Sequence, residues 1–255
     1  MLSKTTRTAS LIYVFVLALA TATWAQPTRP ATCSNATLNG NLGFVVTGID
    51  ANGPTAIGGQ ITADGKGGLT GVQTVSDNGT IDADVPVTGT YAVRANCTGK
   101  GTITPKAGSA THFSFTIVSA GTEVQLVITD DLTVESGSAL TQGSATCTTK
   151  GIAGTYGLQT SGMLFGLGSL VFEGQVKLSQ GVMSGTVSGS LNGQVFKGWK
   201  IDGAAKVGKT CAGKAVVSVN KEPPLHLDLV VVNGGNEIMF IATDDQTGVT
   251  GSLQR

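Results

Sequence analysis

Two cysteine pairs with identical spacing constrain this chain more than any other feature. Cys33 and Cys97 lie 64 positions apart, and so do Cys147 and Cys211. The pairs are offset by 114 (147 − 33). At that offset Gly40 falls on Gly154, Gly43 on Gly157, Gly48 on Gly162, Gly79 on Gly193 and Gly89 on Gly203. Gly99-Lys100 falls on Gly213-Lys214, His112 on His226, and residues 121–131 (GTEVQLVITDD) on 235–245 (GNEIMFIATDD). One register held across such unlike residue types marks an internal duplication. We expect two modules, 33–142 and 147–255, joined by a junction short enough to leave them in contact.

The N-terminus reads as an export signal. Lys4 and Arg7 precede an apolar run, residues 11–20 (LIYVFVLALA), and Ala25 closes a short polar stretch. This is the three-part pattern of a secretory leader. The competing reading, a membrane anchor, needs roughly 20 apolar residues. We place a 1–25 leader, with cleavage after Ala25, and a lead-in at 26–32. Removing 1–25 takes two of the 16 basic residues and no acid, leaving 14 against 16, a net charge near −2. Such a balance gives no electrostatic reason to expect nucleic acid as a partner. An even cysteine count in an exported chain implies disulfides. The duplication favours Cys33–Cys97 and Cys147–Cys211. A metal site is the weaker alternative, because no Cys-x-x-Cys spacing exists.

A period of two dominates each module. Phe113, Phe115 and Ile117 share one face of a run, as do Val124, Leu126 and Ile128 in the next. This is half-buried antiparallel strand. The runs are separated by turn residues such as Asn78-Gly79, Asn192-Gly193 and Gly234-Gly235. Strands are expected near 42–48, 56–63, 68–76, 80–87, 88–94, 98–104, 111–118, 123–130 and 134–141. Pro86 leaves open that 80–94 is one bent strand. The fold class is all-β: two tandem small antiparallel β-barrels, which remove exposed sheet edges. β-Sandwiches are the alternative. A single 16-stranded outer-membrane barrel fits poorly, since it calls for aromatic girdles and aromatics are 5% of the chain.

Gly89-Thr90-Tyr91, then Cys97-Thr98-Gly99, the His112 strand and Thr129-Asp130-Asp131 form a pattern. On these residues the first module resembles uncharacterised secreted bacterial β-rich proteins that carry Gly-Thr-Tyr, Asp-Cys-Thr-Gly and Thr-Asp motifs. The second module departs from it, with Gly203-Ala204-Ala205 and Cys211-Ala212-Gly213, and Asn96 stands where the pattern has Asp. The resemblance implies a fold and no activity.

One constellation could carry chemistry. A hairpin turning at Ala120-Gly121 places His112 opposite Thr129, with Asp131 diagonally across; His226, Thr243 and Asp245 repeat it. A His–Asp pair in a groove could act as a general base or a weak metal site. The bland alternative is a polar cross-strand pair on the solvated face, and it is favoured because no nucleophile or third ligand accompanies it. Ser114, on the same face as His112, becomes Asp228 in the second copy. Acid-glycine stretches at Asp50, Asp64 and Asp77 suggest calcium less than they suggest turn chemistry. At an offset of 114 these acids become Leu164, Leu178 and Leu191. Glu123 and Glu237 read as solvated edge charges, and Phe196 and Trp199 as core or rim aromatics.

These features predict a non-catalytic secreted binding or structural module, with a small apolar ligand as the candidate partner if a barrel is hollow. An adhesion or spacer role, or an enzyme using the His–Asp pair, are the alternatives. Nothing in the sequence calls for a cofactor.

Overall fold

A computed structural model describes residues 32–143 and 147–255. The proposed leader, its cleavage point and most of the lead-in lie outside the described residues. Two closed barrels of eight antiparallel strands form, so the barrel expectation holds over the sandwich and the single large barrel. The first contains β1 (Asn39–Ile49), β2 (Pro54–Asp64), β3 (Gly68–Asp77), β4 (Thr80–Val93), β5 (Thr98–Pro105), β6 (Thr111–Val118), β7 (Glu123–Ile128) and β8 (Val134–Thr141). The second contains β9 (Gly154–Leu164), β10 (Gly168–Ser179), β11 (Val182–Leu191), β12 (Gln194–Val207), β13 (Ala212–Val219), β14 (Leu225–Val232), β15 (Glu237–Ala242) and β16 (Thr247–Gln254). Each strand pairs with the next, and the last returns to the first, Thr141 opposite Leu42 and Gln254 opposite Gly157.

Residues 80–93 form one strand, as Pro86 left open. Its bend is a bulge. Gln73 pairs with Val85 and Val75 with Asp82, so Ala83 and Asp84 together oppose Thr74. Asp84 takes φ 56°, and its counterpart Gly198 takes φ 66° opposite Ser188. A bulge of this kind sharpens the local twist and helps a small sheet close.

The two disulfides form as the duplication predicted, with Cα atoms 5.0 Å and 4.9 Å apart. In the first barrel Cys33 and the short turn at Asn35–Thr37 cover one end of the lumen. The Tyr91 hydroxyl reaches across to donate to the carbonyl of Leu38 at 2.7 Å. In the second barrel Tyr156 donates to the carbonyl of Ile152, the equivalent position, at 2.9 Å. Tyr91 lies on β4 and Tyr156 on β9, so different strands supply the same anchor.

The repeat is not uniform. Gly40 pairs with Ala63, and its copy Gly154 pairs with Leu178. The second strand of each barrel therefore corresponds at an offset of 115 (178 − 63). Ala63 then pairs with Leu69 and Leu178 with Met183, which restores 114 (183 − 69). One residue is gained in one hairpin and lost in the next. This corrects the expected match of Asp64 with Leu178: Asp64 corresponds to Ser179.

The barrels pack side to side. β15 is buried along its whole length, because one face fills its own barrel and the other lies against the first. Val230, Val232 and Met239 pack with Val45 and Leu140. Their first-barrel counterparts include Gln125, which is solvent-exposed. Gly43 makes the approach possible: a Cβ there would lie 2.5 Å from the Val230 side chain and 2.6 Å from that of Val232. Around this apolar contact, Thr74 donates to Asp228 at 2.6 Å, Gln60 to the Thr210 carbonyl at 2.7 Å, and Gln246 N–H to the Gly79 carbonyl at 2.7 Å. Lys214 bridges Asp228 at 2.8 Å and Asp84 at 3.3 Å, and the Asp228 hydrogen bond is the main cause of its raised pKa.

Candidate functional site

The hairpin register is the one expected. Phe113 pairs with Ile128, and the Thr129 N–H donates to the His112 carbonyl at 2.9 Å. The carboxylate that meets His112 is Asp130, however, not Asp131. His112 Nδ1 lies 2.7 Å from Asp130 Oδ1, and the His112 backbone N–H donates to Asp130 Oδ2 at 2.8 Å. The second barrel repeats this with His226 and Asp244 at 2.7 Å and 2.6 Å. The correction has a simple cause. β7 ends at Ile128 and β15 at Ala242, so strand alternation no longer governs the following residues. Thr129, Asp131 and Asp245 are exposed, Thr243 is half-buried, and none is drawn into the pair. Burial raises the Asp130 pKa, but the backbone bond, side-chain bond and charge of His112 outweigh it, and the net shift is downward. Both histidines are exposed on the outer face. The pair ties the start of β6 to the loop after β7, and the start of β14 to the loop after β15, and faces no cavity in the lumen.

The acid-glycine stretches are turns. Asp64 Oδ1 accepts the N–H groups of Lys66, Gly67 and Gly68 at 2.7, 2.9 and 2.8 Å. These bonds, led by that of Gly68, lower its pKa. Asp50 Oδ1 accepts from Asn52 and Gly53 at 2.7 Å and 3.1 Å. Among the described residues no group of three or more His, Cys, Asp or Glu is placed to hold a metal ion. Glu237 departs from expectation. It is 8% exposed, accepts from Gln254 at 3.0 Å, and burial raises its pKa. The docking of the barrels covers it, which its position beside a turn could not reveal.

The two lumens differ. The first barrel encloses a cavity of about 80 Å³ lined by Leu42, Ile57, Ile61, Ile103, Phe113 and Ile128, among others. Ile57, Ile61, Ile103, Phe113, Leu126 and Ile128 are only partly buried although they lie on the inward faces of their strands. In the second barrel, the counterparts of five of them are Val176, Val217, Leu227, Phe240 and Ala242, and all are buried.

The cause lies at the end of the barrel opposite the disulfide. Phe196 and Trp199 of β12 stack with ring centroids 4.2 Å apart, and Phe172 of β10 packs against Phe196 at 6.4 Å. Leu164, Leu191 and Leu225 complete this apolar stopper. The corresponding first-barrel residues are Asp82, Val85 and Ile57, then Asp50, Asp77 and Thr111. Smaller and more polar side chains leave that end without a stopper. The lumen is apolar, unlike the polar interior of a bilayer-spanning barrel.

A cleft of about 250 Å³ also lies between the barrels, bordered by Val72, Asp84, Lys214 and Ile241. Its charged groups are already paired across the contact. The chain matches no family model, and a search of curated proteins found no match.

Proposed function

We propose that this is an exported, non-catalytic binding protein that takes a slender apolar chain into the lumen of its first barrel. The second barrel is the filled base on which it rests. The observation that carries this reading is the difference between two copies of one fold: the copy with Phe172, Phe196 and Trp199 buries its inward side chains in one continuous core, and the copy without them has a cavity lined by partly buried side chains. Close packing is the default for a protein interior, so retained space in only one copy is a selective departure. The size narrows the ligand. An engineered apolar cavity of about 150 Å³ holds a benzene ring. A volume near 80 Å³, about half of that, receives the tip of a slender aliphatic chain, the rest of which passes out through the unstoppered end. Export is supported by the leader-like residues 1–25 and by two disulfides, which persist in oxidising compartments.

The test uses isoleucine methyl signals of the full mature chain during titration with 1-octanol. Ile57, Ile61, Ile103 and Ile128 should shift, while Ile201 and Ile238 of the second barrel stay fixed. Val85→Trp, which copies Trp199, should abolish the shifts. Equal perturbation of both barrels, or none, overturns the reading.

A further inference from the structure

Gln73 is the anomaly inside the first lumen. It lies on β3 between Gly59 of β2 and Val85 of β4, and it lines the apolar cavity. It is 9% exposed. Among the described residues its carboxamide has no hydrogen-bond partner, yet it is not among the fully enclosed unpaired atoms. Its polar atoms therefore border open space; the residue lines both the lumen and the cleft between the barrels, and strand alternation puts its side chain on the inward face of β3 with Leu69. The equivalent residue in the filled barrel is Val187, 1% exposed and packed into the core. A buried amide without a partner is costly, and the second copy shows that the fold accepts valine here.

Resting on the lumen reading above, we infer that Gln73 is a ligand-binding residue whose carboxamide meets an oxygen of the ligand. That oxygen belongs to a neutral group, an alcohol or a carbonyl, on an otherwise aliphatic chain. A carboxamide donates and accepts, which matches a hydroxyl on both counts. No lysine, arginine or histidine lines the cavity, so a carboxylate would lose its hydration with no opposite charge to replace it. The ligand class is a neutral aliphatic alcohol, ester or ketone rather than a free fatty-acid anion.

The test compares wild-type chain with Gln73→Val, using 1-octanol, n-octane and octanoate as probes and the same isoleucine methyls as readout. Wild type should prefer octanol to octanoate. The substitution should weaken octanol roughly five- to tenfold, the worth of one hydrogen bond, and leave octane unchanged or tighter. It should also raise the thermal midpoint, since an unpartnered amide is removed. Octanol affinity unchanged in Gln73→Val, with Val85→Trp still blocking both neutral probes, overturns this inference and leaves the lumen reading intact. Octanoate binding as tightly as octanol overturns the assignment of a neutral group. Failure of every probe to move the lumen methyls of wild type overturns both.

Discussion

Phe196 and Trp199 stack 18° from parallel with centroids 4.2 Å apart, closing the end of the second barrel at the place where the first presents Asp82 and Val85. Large aromatic truncations in cores cost about 3–5 kcal/mol, and Trp199 is partly buried. Trp199→Ala should therefore destabilise the second barrel by about 3 kcal/mol, read as a lower urea midpoint. It should also let the methyls of Val187 and Leu225 respond to 1-octanol, the response proposed for the first lumen in wild type.

Docking of the barrels depends on Gly43, where a side chain would strike Val230 and Val232. Gly43→Leu should separate them, exposing the apolar outer face of β14 and β15. Calorimetry should then resolve two transitions in place of one, and the protein should self-associate more readily.

Glu135 is 8% exposed and accepts from Thr55 at 2.8 Å. Burial, reinforced by Asp50, Asp130 and Asp77, raises its pKa above the ordinary 4.5 despite that bond. A raised folded-state value means the folded protein holds the proton more tightly than the unfolded chain. The Glu135 contribution to stability is then complete below pH 4.5 and is lost as pH rises through the raised value. Glu135→Gln keeps an acceptor for Thr55 and removes the charge. It should be more stable than wild type at pH 7, with the difference vanishing near pH 4 in denaturation curves.

Each disulfide closes a span of 64 residues. On the chain-entropy model this is worth about 4 kcal/mol. Replacing Cys33 and Cys97 together by Ser should lower the stability of the docked pair by about that amount, read as a lower midpoint of the single unfolding transition the two barrels share.

The His112–Asp130 pair is exposed, so it should contribute little; surface pairs are worth about 0–1 kcal/mol. His112→Ala with His226→Ala should cost less than about 1 kcal/mol each and leave 1-octanol binding unchanged. A loss of binding would give this rim pair a part in function.

Much of the fold was legible in the chain. Cysteine spacing predicted both bridges, and a turn placed at Ala120-Gly121 gave the hairpin register to the residue, although the strand expected over 123–130 ends at Ile128. The choice of Asp130 over Asp131 was not legible, because it depends on where pairing stops rather than on parity. The loss of Tyr91 in the second copy looked like a departure from the motif. Tyr156 restores the anchor from another strand, which linear comparison at one offset cannot show. The doubly buried strand β15 did leave a signal: residues 238–242 (IMFIA) are apolar without alternation, the mark of a strand covered on both faces.

The sequence by itself determined the duplication, the sulfur pairing and the inward face of most strands, because each follows from spacing along one strand or between two copies. The tertiary structure decided which lumen is hollow, that Gln73 stands unpartnered inside it, and which outer faces meet. Those properties depend on volume summed across eight strands that are distant in sequence, and no local pattern carries that sum.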